Sequence, residues 1–314
     1  MRGPAVTARL SFLIVAASVA LTSPAAAYVR SRTDGGIPKY WQKSCVPIAV
    51  YQNSFTDMTR DEVAKSISAA AHAWSPTSVT CADGVSHPFL EIVPWIEPET
   101  AVPPTPAYDG QNTLLFYTPS RPYPPPEVSG IGPSVLALTA TWARADGHIV
   151  DVDVRVNAMD NFFANLDPGS TAGNGQSPFD LQNALTHEFG HLLGLGHTCW
   201  SPFSDPEQPI DDQGVAAPYC QDAPADLRQT VMFAIIDANR ELTKRTLSAD
   251  DIRAVCEIYP DDQDPRSCNL DMPEDGCGCR TATGGVGPSS AGVLCLLAAA
   301  FLLRSRRARR ADRG

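Results

Sequence analysis

Apolar and polar positions along the chain repeat with two different periods. The helical period appears first: Val63, Ile67, Ala70, Ala71 and Trp74 recur at the spacing of one buried face. Thr59 and Glu62 form the capping box that opens this helix, each side chain satisfying a backbone N–H that the first turn leaves unpaired. Ser177, Pro178 at the first helical position and Asp180 open a second helix, which runs to about Leu193. Ser248 and Asp251 open a third, and Pro260 stops it soon after Tyr259. Period two is clearest over His148–Val156. There Val150, Val152, Val154 and Val156 take one side and Asp151, Asp153 and Arg155 the other, which predicts a half-buried strand. Weaker strand candidates are Val46–Gln52, Phe89–Val93, Thr113–Tyr117 and Val135–Trp142. The order strand, helix, several strands, helix, long loop, helix predicts an α/β sandwich of one sheet against helices.

Both ends follow a different logic. Residues 1–27 carry basic residues, an apolar run from Leu10 to Leu21 and then Pro24-Ala25-Ala26-Ala27, the order of a secretory signal peptide with mature start near Tyr28. Residues 277–314 run from Cys277-Gly278-Cys279 through a small-residue spacer and an apolar stretch to an arginine cluster. That stretch is short for a stable span, so transient membrane anchoring is expected. The order resembles the MYXO-CTERM sorting tag of myxobacterial exported proteins, which implies processing near Cys277 or Cys279 and retention at the cell surface; the expected location is the outer-membrane surface or the extracellular space. Residues 28–262 are then the main domain and 263–276 a linker.

Charge and cysteines narrow the body further. The net charge is −11, and because both ends are basic the body is more acidic still. Such a body repels phosphate backbones, so nucleic acid is not an expected partner. With 43% hydrophobic residues the chain can build a real core. Cys45, Cys81, Cys199, Cys220, Cys256 and Cys268 remain in the body, and in an exported domain they predict disulfides. Many connectivities are open; pairing in chain order, Cys45–Cys81, Cys199–Cys220 and Cys256–Cys268, is the expectation. They contain no C-x-x-C pair, which argues against cysteine-held zinc. The long connections Pro94–Gly110, Thr118–Ser134, Asp160–Ser177 and Thr198–Val231 suggest functional loops. In the last, Asp205-Pro206-Glu207 and Asp211-Asp212 offer oxygen ligands for Ca²⁺, although such acids more often only face water.

The chemistry concentrates in the second helix, in His187-Glu188-Phe189-Gly190-His191-Leu192-Leu193-Gly194-Leu195-Gly196-His197. His187 and His191 are four apart and project from one face, so they can share a Zn²⁺. Gly194 suits the left-handed exit that ends the helix and brings His197 back as a third ligand. Three histidines leave a corner open, the mark of a catalytic rather than a structural site. Glu188 can then act as base without ligating. A lone histidine on an apolar face is usually a core residue, and His72, His87 and His148 read that way. Three of the six histidines fall in this one window.

These residues resemble the metzincin zinc endopeptidases and fit their H-E-x-x-H-x-x-G-x-x-H pattern at every fixed position. The context is most similar to the matrixins: the tryptophan-bearing first helix, Leu138-Thr139 before Gly147-His148-Ile149-Val150-Asp151, and the closing helix from Leu247-Ser248. The resemblance implies a twisted, mixed five-stranded sheet packed on three helices and a peptidase acting on polypeptides as a monomer. It also implies a methionine turn at Met232, an edge strand that pairs with substrate around Leu138, and a pocket wall from Phe233 and Ala234. Departures are visible. Thr198 stands where reprolysins carry Asp, and Ala234 replaces both the tyrosine ligand of astacins and the proline common in matrixins. There is no cysteine-switch prosegment and no second histidine cluster. An idle surface adhesin on the same scaffold, or a pappalysin-like enzyme, are the rival readings.

Overall fold

The computed structural model describes residues 28–52, 58–122, 131–166, 178–202, 205, 207–236 and 242–268. The signal segment, Ser177 and the sorting segment 277–314 lie outside the described residues. In chain order the elements are β1 (Val29–Arg30), β2 (Cys45–Tyr51), α1 (Arg60–Ala73), β3 (Glu91–Ile96), β4 (Thr113–Tyr117), β5 (Ala137–Ala143) and β6 (Ile149–Asn157). There follow β7 (Phe163–Ala164), β8 (Phe179–Asp180), α2 (Leu181–Leu192), β9 (Leu195–Gly196) and α3 (Ala249–Ile258). The described residues are mixed α/β, with one five-stranded sheet of order β3-β2-β4-β6-β5 and three α-helices among them. Neighbours in the sheet are parallel except β5, which runs antiparallel to β6 along one edge. The parallel pair β2–β3 requires a crossover, and α1 supplies it.

The helix starts follow the capping chemistry. Thr59 and Glu62 form a reciprocal box at α1, as do Ser248 and Asp251 at α3. The opening of α2 differs from expectation. Pro178 precedes the helix and Asp180 is its cap, the carboxylate accepting from Asn183 N at 2.8 Å. Phe179 and Asp180 are held extended by pairing with Phe163 and Ala164, so the helix cannot begin earlier. The strand candidates emerge within two or three residues of their expected ends. β3 runs on through Pro94 because it lies at the sheet edge, where a missing N–H breaks no ladder.

The face Val63, Ile67, Ala70, Ala71 and Trp74 is buried as its spacing predicts, in a core shared with Val152, Val154 and Val156 of β6. The opposite face of β6 departs from the half-buried expectation: Asp151 and Asp153 are buried as well. The chain before β4 folds over them. Asp109 N and Gly110 N donate to Asp151 Oδ2 at 2.7 and 2.8 Å, and Ala107 N donates to Asp153 Oδ2 at 2.9 Å. Burial pushes the Asp153 carboxyl up to about 6 despite bonds from Thr113 and Ala107. Alternation shows which face a side chain takes but not what covers that face.

Among the described residues three disulfides are formed: Cys45–Cys268, Cys81–Cys256 and Cys199–Cys220. Chain-order pairing is therefore right only for Cys199–Cys220. The other two join residues 223 and 175 positions apart. The sheet brings the chain after α3 back beside β2, with Phe89 N donating to Tyr259 O at 2.8 Å and Ser267 N to Ser44 Oγ at 2.9 Å. Three disulfides suit an oxidising compartment.

Candidate metal centre

Helix α2 is buried almost all round, and its C-terminal end is bolted in place. The last carbonyls of a helix have no partner within it. Here Trp41 Nε1 donates to Leu192 O at 2.8 Å, Tyr259 OH to Leu193 O at 2.7 Å and Ser31 N to Gly194 O at 2.9 Å. Trp74 Nε1 ties α1 to Thr186 O at 2.9 Å. Gly194 has φ +88°, and a Cβ there would lie 2.6 Å from Lys39 O, so glycine is required twice over. The chain turns through it into β9, which pairs with β1, and delivers His197 back to the helix.

The three histidines meet. His197 Nε2 lies 3.3 Å from His187 Nε2 and 3.1 Å from His191 Nε2. Each Nδ1 faces away to an oxygen that can only accept: Val231 O at 2.6 Å for His187, Leu195 O at 2.9 Å for His191, Asp205 Oδ2 at 2.9 Å for His197. Each Nδ1 therefore carries a ring proton, and each Nε2, in a neutral ring, offers a lone pair toward the other two. Burial holds His187 and His191 far down in pKa, the latter at about 3, so neither ring gains a second proton near neutrality. Three lone pairs facing one point cannot satisfy one another, and a shared cation can satisfy all three. Among the described residues, His187, His191 and His197 are the group able to hold a metal ion.

Glu188 projects beside the triad. It is buried, and Thr139 Oγ1 on β5 donates to its Oε2 at 2.6 Å. Burial raises its carboxyl to about 7, with the Thr139 bond opposing the rise. Met232 is buried against the helix. A Cβ on Gly190 would lie 2.1 Å from its Sδ, so the bare backbone of Gly190 makes room for the sulfur. The Met232 turn is held from two sides: Thr198 N donates to Met232 O at 3.0 Å and Val231 N to Asp251 Oδ2 at 2.9 Å. Asp251 thus caps α3 and fixes the turn that receives the His187 proton.

A cleft of about 620 Å³ lies over these groups, with Leu138, Ala234, Ile235 and Ile236 in its walls. Phe233 is not among them. It packs inward on Cys199, Cys220 and Leu227, so the wall begins one residue later than expected. Two supports escape a sequence reading. Lys244 is fully buried and donates to Phe233 O at 2.5 Å and Ile235 O at 2.8 Å, yet between Thr243 and Arg245 it looks like a solvated surface lysine. Asp205, one of the loop acids that offered oxygen ligands for Ca²⁺, accepts from His197 Nδ1. Asp211 accepts from Gln213 N and Val215 N within its own turn, and among the described residues no group of three acids around Asp205 or Asp211 is brought together. His72 and His87 make local contacts with Ser78 and Pro88, and His148 meets Tyr40 OH from a distant part of the chain. No protein-family model matches the chain, and no curated protein sequence is significantly similar to it.

Proposed function

We propose that this chain is an exported zinc endopeptidase of the metzincin type, closest to the matrixins, acting as a monomer on polypeptide substrates. One observation carries the reading: three imidazole Nε2 atoms converge beside a buried carboxylate in an open cleft. Nitrogen ligands about 2.0–2.1 Å from a tetrahedral zinc lie about 3.3 Å apart, a fit to the 3.1 and 3.3 Å separations here. Bound by His187, His191 and His197, zinc supplies Lewis-acid polarisation of the scissile carbonyl and acidifies water. The rest is work for this chain's side chains. Glu188, a buried carboxylate beside the three histidines, is placed to take a proton from the attacking water and return it to the leaving amine. Thr139 orients that carboxylate, and Leu138 with Ala234 to Ile236 supplies apolar contact for the residue beside the cut bond. The intact carboxylate at position 188 disfavours an idle adhesin, which has no use for a base.

The test is Glu188→Gln. The variant is expected to keep its metal content and melting temperature while losing peptidase activity on a casein-like substrate by about 10³-fold or more. Chelation is expected to abolish wild-type activity and zinc to restore it. Equal turnover by both proteins removes Glu188 from the role.

A further inference from the structure

The edge strand β5 presents a ladder of backbone groups to the cleft, and one rung is already taken. Asn157 N donates to Leu136 O at 2.8 Å, just beyond the pair Ala137↔Val156. Bonded pairs alternate along an antiparallel ladder, so Leu136, Leu138 and Ala140 turn their polar backbone toward β6. Ala137, Thr139 and Thr141 turn theirs outward. At Thr141 the outward carbonyl is met by Lys39, whose Nζ lies 3.1 Å from both Thr141 O and Thr141 Oγ1.

This lysine is built in. Its backbone N donates to Ser31 O at 2.8 Å, its carbonyl accepts from Arg30 Nη2 at 2.8 Å, and Gly194 packs directly against that carbonyl. The segment that positions it is the same one that ties off the end of α2. Ser31 and Thr141 both line the cleft that holds the three histidines. Two of the three ammonium protons are directed at Thr141, which leaves one for a further acceptor.

We propose that Lys39 is a specificity-determining residue that ends the edge ladder at Thr141 and selects peptides bringing a carboxylate to that point. The inference rests on the peptidase reading and names the substrate class for it. Thr139 contacts Glu188 and so marks the reacting bond. Thr141 is two residues further, about 7 Å along a strand. The favoured carboxylate therefore sits about two residues along from the one beside Thr139. A peptide pairing antiparallel to β5 brings an Asp or Glu side chain there, and one pairing parallel brings its own C-terminal carboxylate. A purely structural staple between the N-terminal segment and the sheet predicts no such preference.

The experiment profiles the zinc-loaded protein on a mixture of synthetic peptides by mass spectrometry, followed by kinetics on matched pairs. The pairs differ by Glu against Gln at the selected position, and by a free against an amidated C-terminus. Wild type is expected to favour one carboxylate-bearing member by about tenfold in kcat/KM, expressed in KM, as a charge-assisted contact made in the bound state. Preference for Glu assigns the side chain, and preference for the free acid assigns the terminus. K39M is expected to lose the preference and K39R to keep it, with melting temperatures showing that both variants are folded. Wild type that cuts both members of every pair equally, or a preference that survives in K39M, overturns the proposal and leaves the peptidase reading standing. If the wild type holds zinc and cuts nothing, the peptidase reading falls and this proposal with it.

Discussion

The three histidines are supported in two different ways. His187 and His191 ride on a helix buried on almost every side, and their ring protons go to backbone carbonyls, Val231 O and Leu195 O. His197 stands outside the helix, and its Nδ1 donates a hydrogen bond to a side chain, the Asp205 carboxylate. The segment carrying Asp205 is stabilised by local means. Trp200 Nε1 donates to Asp205 O at 3.0 Å, the Trp200 and Tyr219 rings lie 4.6 Å apart, and Cys199–Cys220 closes the loop. A backbone acceptor survives any replacement of its own side chain. A carboxylate acceptor adds charge and orientation but is lost with one substitution. The first two ligands therefore depend on the fold as a whole, and the third on one loop.

Removing the loop's staple is expected to have the largest effect. The Cys199–Cys220 bridge spans a sequence separation of 21, and opening a ring of that size costs about 3 kcal/mol in chain entropy. The double variant C199S/C220S is expected to lose about that much in urea unfolding and to bind zinc more weakly. Equal zinc affinity in the variant breaks the division drawn above. On the helix side, Gly190→Ala places a methyl 2.1 Å from Met232 Sδ and 3.1 Å from Trp74 Cζ2. The methionine can swing aside but the indole ring cannot, so a destabilisation of about 2 kcal/mol is expected. Denaturant titration checks it. Next comes Asp205→Asn, which keeps an acceptor for His197 Nδ1 but removes the charge. Zinc affinity is expected to fall about tenfold, read by competition with a chromogenic chelator, with folding stability unchanged.

What could be read from the sequence follows the same divide. The capping boxes at Thr59 and Ser248, the His187–His191 spacing and the exit at Gly194 are local patterns, and all four are where the chain puts them. Contacts that depend on distant chain returning were not legible. Cys45 and Cys268 carry no mark that they are neighbours, because the sheet and α3 bring them together. Asp151 and Asp153 look solvent-facing until the chain before β4 lies over them. Asp205 reads as one more acid in an acidic loop, and only the return of that loop to His197 reveals its partner. Phe233 and Ile235 are equally apolar, and only the packing of Phe233 on Cys199, Cys220 and Leu227 leaves Ile235, not Phe233, in the cleft wall.

The smallest effect expected is at Thr139, where the edge strand touches the proposed base. Its hydroxyl donates to Glu188 Oε2 at 2.6 Å, and a donor aimed at a carboxylate favours the charged form. Burial works in the opposite direction and is the larger influence, which is why the group sits near 7 rather than in the ordinary carboxylate range. Thr139→Val removes the donor and leaves the burial, so the Glu188 pKa must rise. A base with a higher pKa is ionised only at higher pH, so the acid limb of the kcat/KM profile is expected to move upward by about half to one pH unit. Zinc in the site lowers the Glu188 pKa in both proteins, so the displacement between the two profiles is the quantity to read, not the position of either. Activity well above the limb is expected to change little, because the base is then ionised in both proteins. A limb that stays in place, with activity reduced evenly at every pH, identifies Thr139 as a packing residue and detaches the edge strand from the chemistry of Glu188.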